Sequence, residues 1–206
     1  MGDSFDPRRC DAYIEFFSRV IESARAQPAA AAVDERLRRF GLRTAQDFVA
    51  RANRVRKLRR TPPSCRPASI LVLSRVTLGA DVAVTSVVLD GMMRRFPEAR
   101  VVLLGGRKSA LLFAGESRVE ARTVDYPRGG GLLERLSSWL ALVDVVEAEA
   151  SRGDFLVVDP DSRLTQLGML PVTADESGYY FFESRSFTRP GKETLAGLTE
   201  IGRAHV

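Results

Sequence analysis

The stretch that decides the fold runs Ser69-Ile-Leu-Val-Leu-Ser-Arg-Val-Thr-Leu-Gly-Ala-Asp-Val82 and continues to Lys108. An apolar run at 70–73 is followed by a polar turn, and residues 82–95 then place apolar side chains at helical spacing. A Phe-Pro pair ends this helix, and a second apolar run occupies 101–104. This order predicts a βαβ unit, that is, two parallel strands joined by a crossover helix.

The polar residues that follow these two strands predict a binding site. In open α/β sheets, ligands bind beyond the carboxyl ends of the strands. The residues expected at this edge are Ser74, Arg75, Thr77, Leu78, Gly79, Asp81, Arg107 and Lys108.

The alternation of strands and helices continues along the chain and predicts an α/β fold with a doubly wound parallel sheet over residues 68–200. The further strands are predicted at 119–124, 155–158 and 179–182, and the further helices at 109–113, 132–150 and 164–170. Polar residues again follow the strands, and those taken as ligand contacts are Asp159, Asp161, Arg163 and Arg185. Because arginine pairs bidentately with carboxylate and phosphate, this edge suits an anionic ligand.

The first 60 residues predict a helical extension, joined to the α/β part by a proline-rich linker at 61–67. Its last ten residues, 51–60, contain six Arg or Lys and no acid. Such a run can attract phosphates or anionic lipid. The alternative, which we favour, is a solvated helix face.

The composition is typical of a globular protein with a hydrophobic core. The chain has 206 residues, a net charge of +5 and 45% hydrophobic residues, which is enough for a core. It contains neither an apolar run of membrane-spanning length nor a signal-like N-terminus, which favours a cytoplasmic location. Cys10 and Cys65 lie far apart and are expected to be unpaired thiols, with no metal site.

The last six residues, 201–206, match one reading frame of a common sequencing adapter, and we expect them to be a non-native tail. The single histidine, His205, belongs to this tail. The remaining chain then offers no imidazole for Ser-His or Cys-His catalysis. On this interpretation the chain is a fragment of a longer protein.

The turn Leu78-Gly-Ala-Asp-Val82, the segment Arg94-Arg-Phe-Pro-Glu-Ala99 and the strand after it resemble the N-terminal domain of glycosyltransferase family 9, the ADP-heptose:lipopolysaccharide heptosyltransferases. The similarity continues more weakly to Asp154-Phe-Leu-Val-Val-Asp159 and covers about residues 68–200. Two departures stand out. Ala80 separates Gly79 from Asp81, and residues 159–162 replace the family's Asp-Leu-Gln-Gly turn.

The resemblance implies a two-domain GT-B fold that transfers a sugar, with heptose as one candidate, without a metal or other cofactor and with inversion. This chain would be the N-terminal half, which binds an anionic glycan or glycolipid acceptor. A missing C-terminal domain would bind the nucleotide-sugar donor. The resemblance further implies lipopolysaccharide or other cell-surface glycan synthesis and peripheral contact with the inner membrane. Asp81 would be the general base that takes a proton from the acceptor hydroxyl.

Other interpretations remain open. Asp81 directly precedes the predicted helix and could be its N-cap. The chain could instead be a Rossmann-type nucleotide-binding module without catalysis, although the Gly-x-Gly-x-x-Gly pattern is missing after the first strand. It could also be an interaction protein whose basic stretch binds nucleic acid or membrane, with nucleic acid the less favoured partner.

Overall fold

The computed structural model describes residues 7–56 and 66–181. Several predictions fall outside this range. They concern the basic residues 57–60, most of the linker, Cys65, Arg185 and the C-terminal residues from 182 onward, with the expected tail.

A five-stranded, all-parallel sheet forms the centre of the molecule, in the strand order β3-β2-β1-β4-β5. Its strands are β1 (Ser69–Leu73), β2 (Arg100–Gly105), β3 (Val119–Thr123), β4 (Phe155–Asp159) and β5 (Tyr179–Phe181). The register pairs Ser69 with Arg100 on one side and with Phe155 on the other. The predicted parallel sheet and βαβ unit are thereby confirmed.

Helices precede the sheet and connect its strands. They are α1 (Pro7–Ala24), α2 (Ala31–Arg39), α3 (Ala45–Val55), α4 (Leu78–Ala80), α5 (Ser86–Arg95), α6 (Arg107–Leu112) and α7 (Leu132–Ala150). A single π-helical turn, Asp81–Thr85, joins α4 to α5, so that helical backbone runs from Leu78 to Arg95. The helix thus begins four residues before the predicted start at Val82. The helix predicted at 164–170 is wrong, because this segment has only the short 3₁₀ turn Arg163–Thr165.

Helices cover both faces of the sheet, as the doubly wound prediction requires. Successive side chains of a strand point to opposite faces. Leu71 and Leu73 of β1 therefore enter one hydrophobic cluster, which also contains Trp139 of α7. Ile70 and Val72 enter a second cluster on the α5 side.

The N-terminal helices share the first of these clusters with the sheet. A capping box between Thr44 and Asp47 starts α3, and Phe48 and Ala52 are then fully buried. On α1, Ile21 is fully buried within the same cluster. The predicted helical extension is confirmed, and it contributes to the same hydrophobic core as the α7 side of the sheet.

Candidate functional site at the switch point of the sheet

The strand order reverses between β1 and β4, because β2 and β3 lie on one side of β1 while β4 and β5 lie on the other. In doubly wound sheets this reversal opens a crevice beyond the carboxyl ends of the strands, where ligands bind. Two segments flank it, namely residues 74–77, here called the β1 turn, and residues 160–168, called the β4 turn. A hydrogen bond of 2.6 Å from Ser162 Oγ to the Ser74 carbonyl joins them.

Both turns contain backbone in the left-handed region. Within the described residues, the non-glycine positions with positive φ are Val76 (73°), Asp161 (63°), Gln166 (50°) and Leu167 (61°). A β-branched residue such as Val76 rarely adopts this conformation. Each such residue costs roughly 1–3 kcal/mol, and strain of this kind clusters at binding sites and switches. Its concentration in these two turns identifies the crevice as the candidate site.

Asp81 is buried, and its carboxylate joins the β1 turn to two helices. Its Oδ1 accepts hydrogen bonds from the Arg75 backbone N–H at 2.9 Å and from Thr85 Oγ1 at 2.8 Å. Its Oδ2 accepts from Ser74 Oγ at 2.8 Å and from Ser109 Oγ of α6 at 2.5 Å. These five residues are called the Asp81 cluster. The cluster fixes the start of the β1 turn against α6.

The position of Asp81 in its helix tests the N-cap interpretation of its role. The helix starts at Leu78 with Thr77 as its N-cap, so Asp81 lies inside the helix and the N-cap interpretation is wrong. The general-base role remains a prediction. Because both carboxylate oxygens already accept hydrogen bonds, one donor must leave before Asp81 can take a proton from a substrate hydroxyl.

A buried ion pair crosses the floor of the crevice. Arg75 Nη2 lies 3.4 Å from Asp161 Oδ2, and the two side chains are 8% and 1% exposed. Both residues were predicted as ligand contacts, and the structure brings them together from opposite turns. Because the two side chains are buried and come from different turns, this pair links the β1 turn to the β4 turn.

Asp159, the last residue of β4, is fully buried below the crevice. Its Oδ1 accepts from the Ser162 N–H at 2.7 Å, and its Oδ2 from Thr165 Oγ1 at 2.5 Å and the Tyr179 hydroxyl at 2.6 Å. Burial raises the pKa of Asp159, and burial together with the Asp159 charge raises the pKa of Tyr179 well above its usual value. Asp159 therefore supports the β4 turn from inside, which differs from the predicted ligand contact.

Arg51 of α3 lies against the Tyr179 ring, and its charge opposes the rise in the Asp159 pKa that burial causes, so it completes what is here called the Asp159 cluster. Its guanidinium donates to the Gly168 carbonyl, and its Cζ lies 5.1 Å from the centre of the Tyr179 ring. Its Nε lies 3.1 Å from Glu176 Oε1, and the side chain is almost fully buried. Both interpretations of the basic run placed Arg51 at a solvated surface, and both are wrong for this residue. The cluster consists of Arg51, Asp159, Ser162, Thr165 and Tyr179.

The neighbouring basic residues also form ion pairs within the chain. Arg54 pairs with Glu176 at 2.8 Å, and Arg56 pairs with Asp11 at 2.8 Å. The described half of the basic run is therefore engaged in internal contacts.

Three consecutive residues of the β4 turn, Gln166, Leu167 and Gly168, are left-handed, which is unusual because such residues normally occur singly. The Leu167 N–H donates to the Ser162 carbonyl at 2.9 Å, which closes the turn. The Gln166 side chain accepts from the Tyr13 hydroxyl at 3.2 Å and donates to the Tyr126 hydroxyl at 3.3 Å. An N-terminal helix thus helps to hold the strained turn. This role was not predicted from the sequence, in which the run Gln-Leu-Gly is the local signal for it.

The loop between β3 and α7, residues 124–131, reaches both turns. Arg128 donates a hydrogen bond to the Val76 carbonyl of the β1 turn, and Arg135 donates back to the Arg128 carbonyl at 3.0 Å. Tyr126 contacts the β4 turn through Gln166. The role of Arg128 was not predicted, because nothing in its local sequence shows that the loop returns to the turn after the first strand.

The remaining predicted contacts lie nearer the surface. Leu78, Gly79, Arg107 and Lys108 are exposed, while Thr77 and Arg163 are half-buried. The structure therefore separates the predicted set into a buried framework and an accessible part, with Arg185 outside the described residues. Within residues 7–56 and 66–181, no group of three His, Cys, Asp or Glu side chains could hold a metal ion. None of the helices in this part of the chain is long and apolar enough to cross a membrane.

Comparison of the chain with protein-family models, with curated proteins and with solved structures returns no match.

Proposed function

We propose that this chain is the acceptor-binding half of an inverting, metal-independent glycosyltransferase of the GT-B type. It would bind an anionic glycan or glycolipid at the crevice between the β1 and β4 turns. The nucleotide-sugar donor would bind to a second domain. The glycosyl-transfer part of this proposal rests on the sequence resemblance, and its binding part rests on the geometry of the crevice.

One observation carries the binding part. The described non-glycine residues with positive φ all lie in the two turns that flank the strand reversal. A chain that only needed to fold could relieve this strain by substitution with glycine. Its presence at the edge where α/β sheets bind ligands supports a site that is preorganised there.

The accessible arginine and lysine side chains near the crevice indicate which kind of ligand would bind there. Arg107 and Lys108 are exposed at the start of α6, and Arg163 is half-buried in the β4 turn. Arg75 is already paired with Asp161, so its charge is largely compensated. The cations at the surface suit a phosphate or carboxylate group on the acceptor, because charge-assisted hydrogen bonds to such groups are strong.

The experiment is a titration of the isotopically labelled chain, followed by amide chemical shifts. Glucose 6-phosphate is the anionic probe, glucose the neutral control and ADP the nucleotide probe. We expect the sugar phosphate to shift amides of residues 75–79 and 163–168, with glucose weaker by about tenfold or more. Arg163→Ala should weaken this binding, whereas Arg38→Ala, an exposed arginine of α2, should not. Equal shifts with glucose would contradict the anionic acceptor.

The second candidate function is nucleotide binding by a Rossmann-type module. The observation in its favour is the strand order, because dinucleotide-binding folds use the same reversal beside their first strand. Against it stands the first turn, which lacks the Gly-x-Gly-x-x-Gly pattern. In the same titration, ADP binding at residues 74–80 without sugar-phosphate binding would favour this candidate and overturn the first.

Membrane association is proposed as peripheral, through contact with the inner leaflet where a glycolipid acceptor would be held. The basic run does not support nucleic-acid binding in its described half, since Arg51 is buried and Arg54 and Arg56 are paired.

A further inference from the structure

Exposed apolar side chains are concentrated on one part of the surface. Among the described residues, the large apolar side chains that are exposed are Phe16, Leu78, Val82, Leu111 and Leu112. Four of these lie at the start of the helix that follows β1 or on α6. Leu78 is 49%, Val82 54% and Leu111 67% exposed. Clusters of this kind mark interaction sites, whereas a single exposed apolar residue such as Phe16 needs no explanation.

The Asp81 cluster places these two segments side by side. Ser109 of α6 donates to Asp81 at 2.5 Å, and this hydrogen bond links α6 to the π-helical turn. Leu78 and Val82 are four residues apart and lie on one side of their helix. Leu111 and Leu112 follow two and three residues after Ser109. Together with Arg107 and Lys108, these four leucine and valine side chains form what is here called the α4–α6 surface.

The charges on this surface have one sign. Across residues 76–89 and 106–115, the basic residues are Arg107 and Lys108, both exposed. Asp81 is the only acid in these two segments, and it is buried. Apolar side chains beside exposed cations, without an exposed acid, match the interface of a membrane with anionic headgroups.

We propose that the α4–α6 surface docks on an anionic lipid surface, with its apolar side chains at the level of the headgroups. This inference names the surface for the membrane contact proposed above, and it rests on that proposal. A protein partner with an acidic, apolar face is the alternative that the experiment must separate. The charge pattern favours lipid, because the exposed charges within residues 76–89 and 106–115 are positive. Of the acids that directly follow these segments, Asp90 is paired with Arg94 and Glu116 accepts from the Arg118 N–H. The surface also adjoins the β1 turn, so docking would bring the crevice close to headgroups.

The experiment is co-sedimentation of the full chain with vesicles, without any sugar or nucleotide. One set contains phosphatidylcholine and phosphatidylglycerol in a three-to-one ratio, and the other contains phosphatidylcholine alone. We expect binding to the anionic vesicles and about tenfold weaker binding to the neutral ones. The double variant R107E/K108E should lose the preference for anionic lipid, and Leu111→Glu should reduce binding to both.

The matched control is Phe16→Glu, because Phe16 is 67% exposed, as Leu111 is, but lies on α1. It should bind vesicles like the parent chain. Arg38→Glu on α2 serves as the charge control. All these positions are exposed, and thermal unfolding checks that each variant is folded.

Three outcomes would overturn the proposal. The first is absent binding to anionic vesicles, which would exclude lipid and favour the protein partner. The second is an equal loss in Phe16→Glu and Leu111→Glu. The third is that the parent chain self-associates and Leu111→Glu makes it monomeric, while vesicle binding stays unchanged. That result would assign the surface to contact with a second copy of the chain. Because no glycan is present and Leu111 takes no part in the proposed acceptor contact, the Leu111→Glu result is independent of the sugar-phosphate titration.

Discussion

Two buried carboxylates, Asp81 and Asp159, lie at the same edge of the sheet and are held in different ways. The Asp81 cluster supplies three hydroxyls and one backbone N–H, all neutral donors close to Asp81 in the chain or on the next helix. The Asp159 cluster includes Arg51 of α3, whose partner Gly168 lies 117 residues away, and Tyr179 of β5.

Two buried carboxylates at the same edge of the sheet therefore serve different purposes. The Asp81 cluster connects neighbouring segments and shapes the β1 turn. The Asp159 cluster connects the N-terminal helices to the far half of the sheet and holds the β4 turn. A change in the first should act locally, whereas a change in the second should affect the stability of the whole chain.

The largest effect is expected from Arg51→Met. It would remove the donor to the Gly168 carbonyl and leave the carboxylates of Asp159 and Glu176 less compensated. Loss of one partner of a buried pair costs about 3–5 kcal/mol of unfolding free energy. Urea denaturation measures this. Arg54→Met is the matched control, because Arg54 pairs with the same Glu176 at the surface and should cost at most about 1 kcal/mol. Equal losses in both variants would refute the central role of Arg51.

Asp81→Ala should cost less, about 2–3 kcal/mol, because three hydroxyls and the Arg75 N–H would lose their acceptor. Asp81→Asn retains an acceptor oxygen and should cost about half as much. Asp90→Ala, on the exposed part of the same helical segment, is the control and should change stability by at most about 1 kcal/mol. In a complete enzyme, Asp81→Asn with normal turnover would exclude the general-base role.

The pH dependence of stability should report on the burial of Asp159. Burial raises the folded-state pKa of Asp159 above its unfolded value of about 4. Between these two values the folded state binds more protons, so the free energy of unfolding should fall as pH rises. Asp159→Asn should remove this contribution. Urea midpoints measured from pH 4 upward, in steps of about one pH unit, should therefore change less with pH in the variant than in the parent chain. If stability rose with pH over this range, and with the same slope in the parent chain and in Asp159→Asn, this prediction would be refuted.

The smallest effect is expected at Val76, whose N–H donates to Ser74 Oγ at the edge of the Asp81 cluster. Glycine relieves the positive φ but loses a half-buried side chain, so Val76→Gly should change stability by less than about 1 kcal/mol. Val87→Gly is the matched control, since Val87 is half-buried in regular helix α5. In Val87→Gly the lower helix propensity of glycine and the lost side-chain packing both reduce stability, so the free energy of unfolding should fall by about 1–2 kcal/mol. Equal losses at both positions would show that Val76 is unstrained.

The sequence was sufficient to predict the parallel sheet, the crossover helix and the edge at which the polar residues gather. These features follow from the two-residue and 3.6-residue periodicities and from the rule that parallel strands end at one edge. Three members of the Asp81 cluster were predicted as site residues, as substrate contacts and a general base, whereas their hydrogen bonds to one another were not predicted. Ser74, Arg75 and Asp81 lie within one short segment and were all named as site residues.

The division of this edge into buried and accessible residues could not be predicted. Asp159 and Arg107 both lie within three residues of an apolar run, and only packing makes one fully buried and the other exposed. The roles of Arg51, Tyr13 and Arg128 were missed because each depends on a contact between segments distant in the chain. The left-handed turn likewise depends on such contacts, because they offset its intrinsic cost.

The central position of β1 has a consequence for the order in which the molecule forms during synthesis. Its neighbour β2 follows soon after it, but β4 arrives late, and the turns bonded through Ser74 and Ser162 are 88 residues apart. At about 5–20 residues per second, the ribosome needs roughly 4–18 seconds to bridge this interval. During that time one edge of β1 and the apolar faces of the N-terminal helices lack their final partners. Early release or slow decoding within this interval should therefore favour aggregation, and a holding chaperone should protect the nascent chain until β4 has emerged.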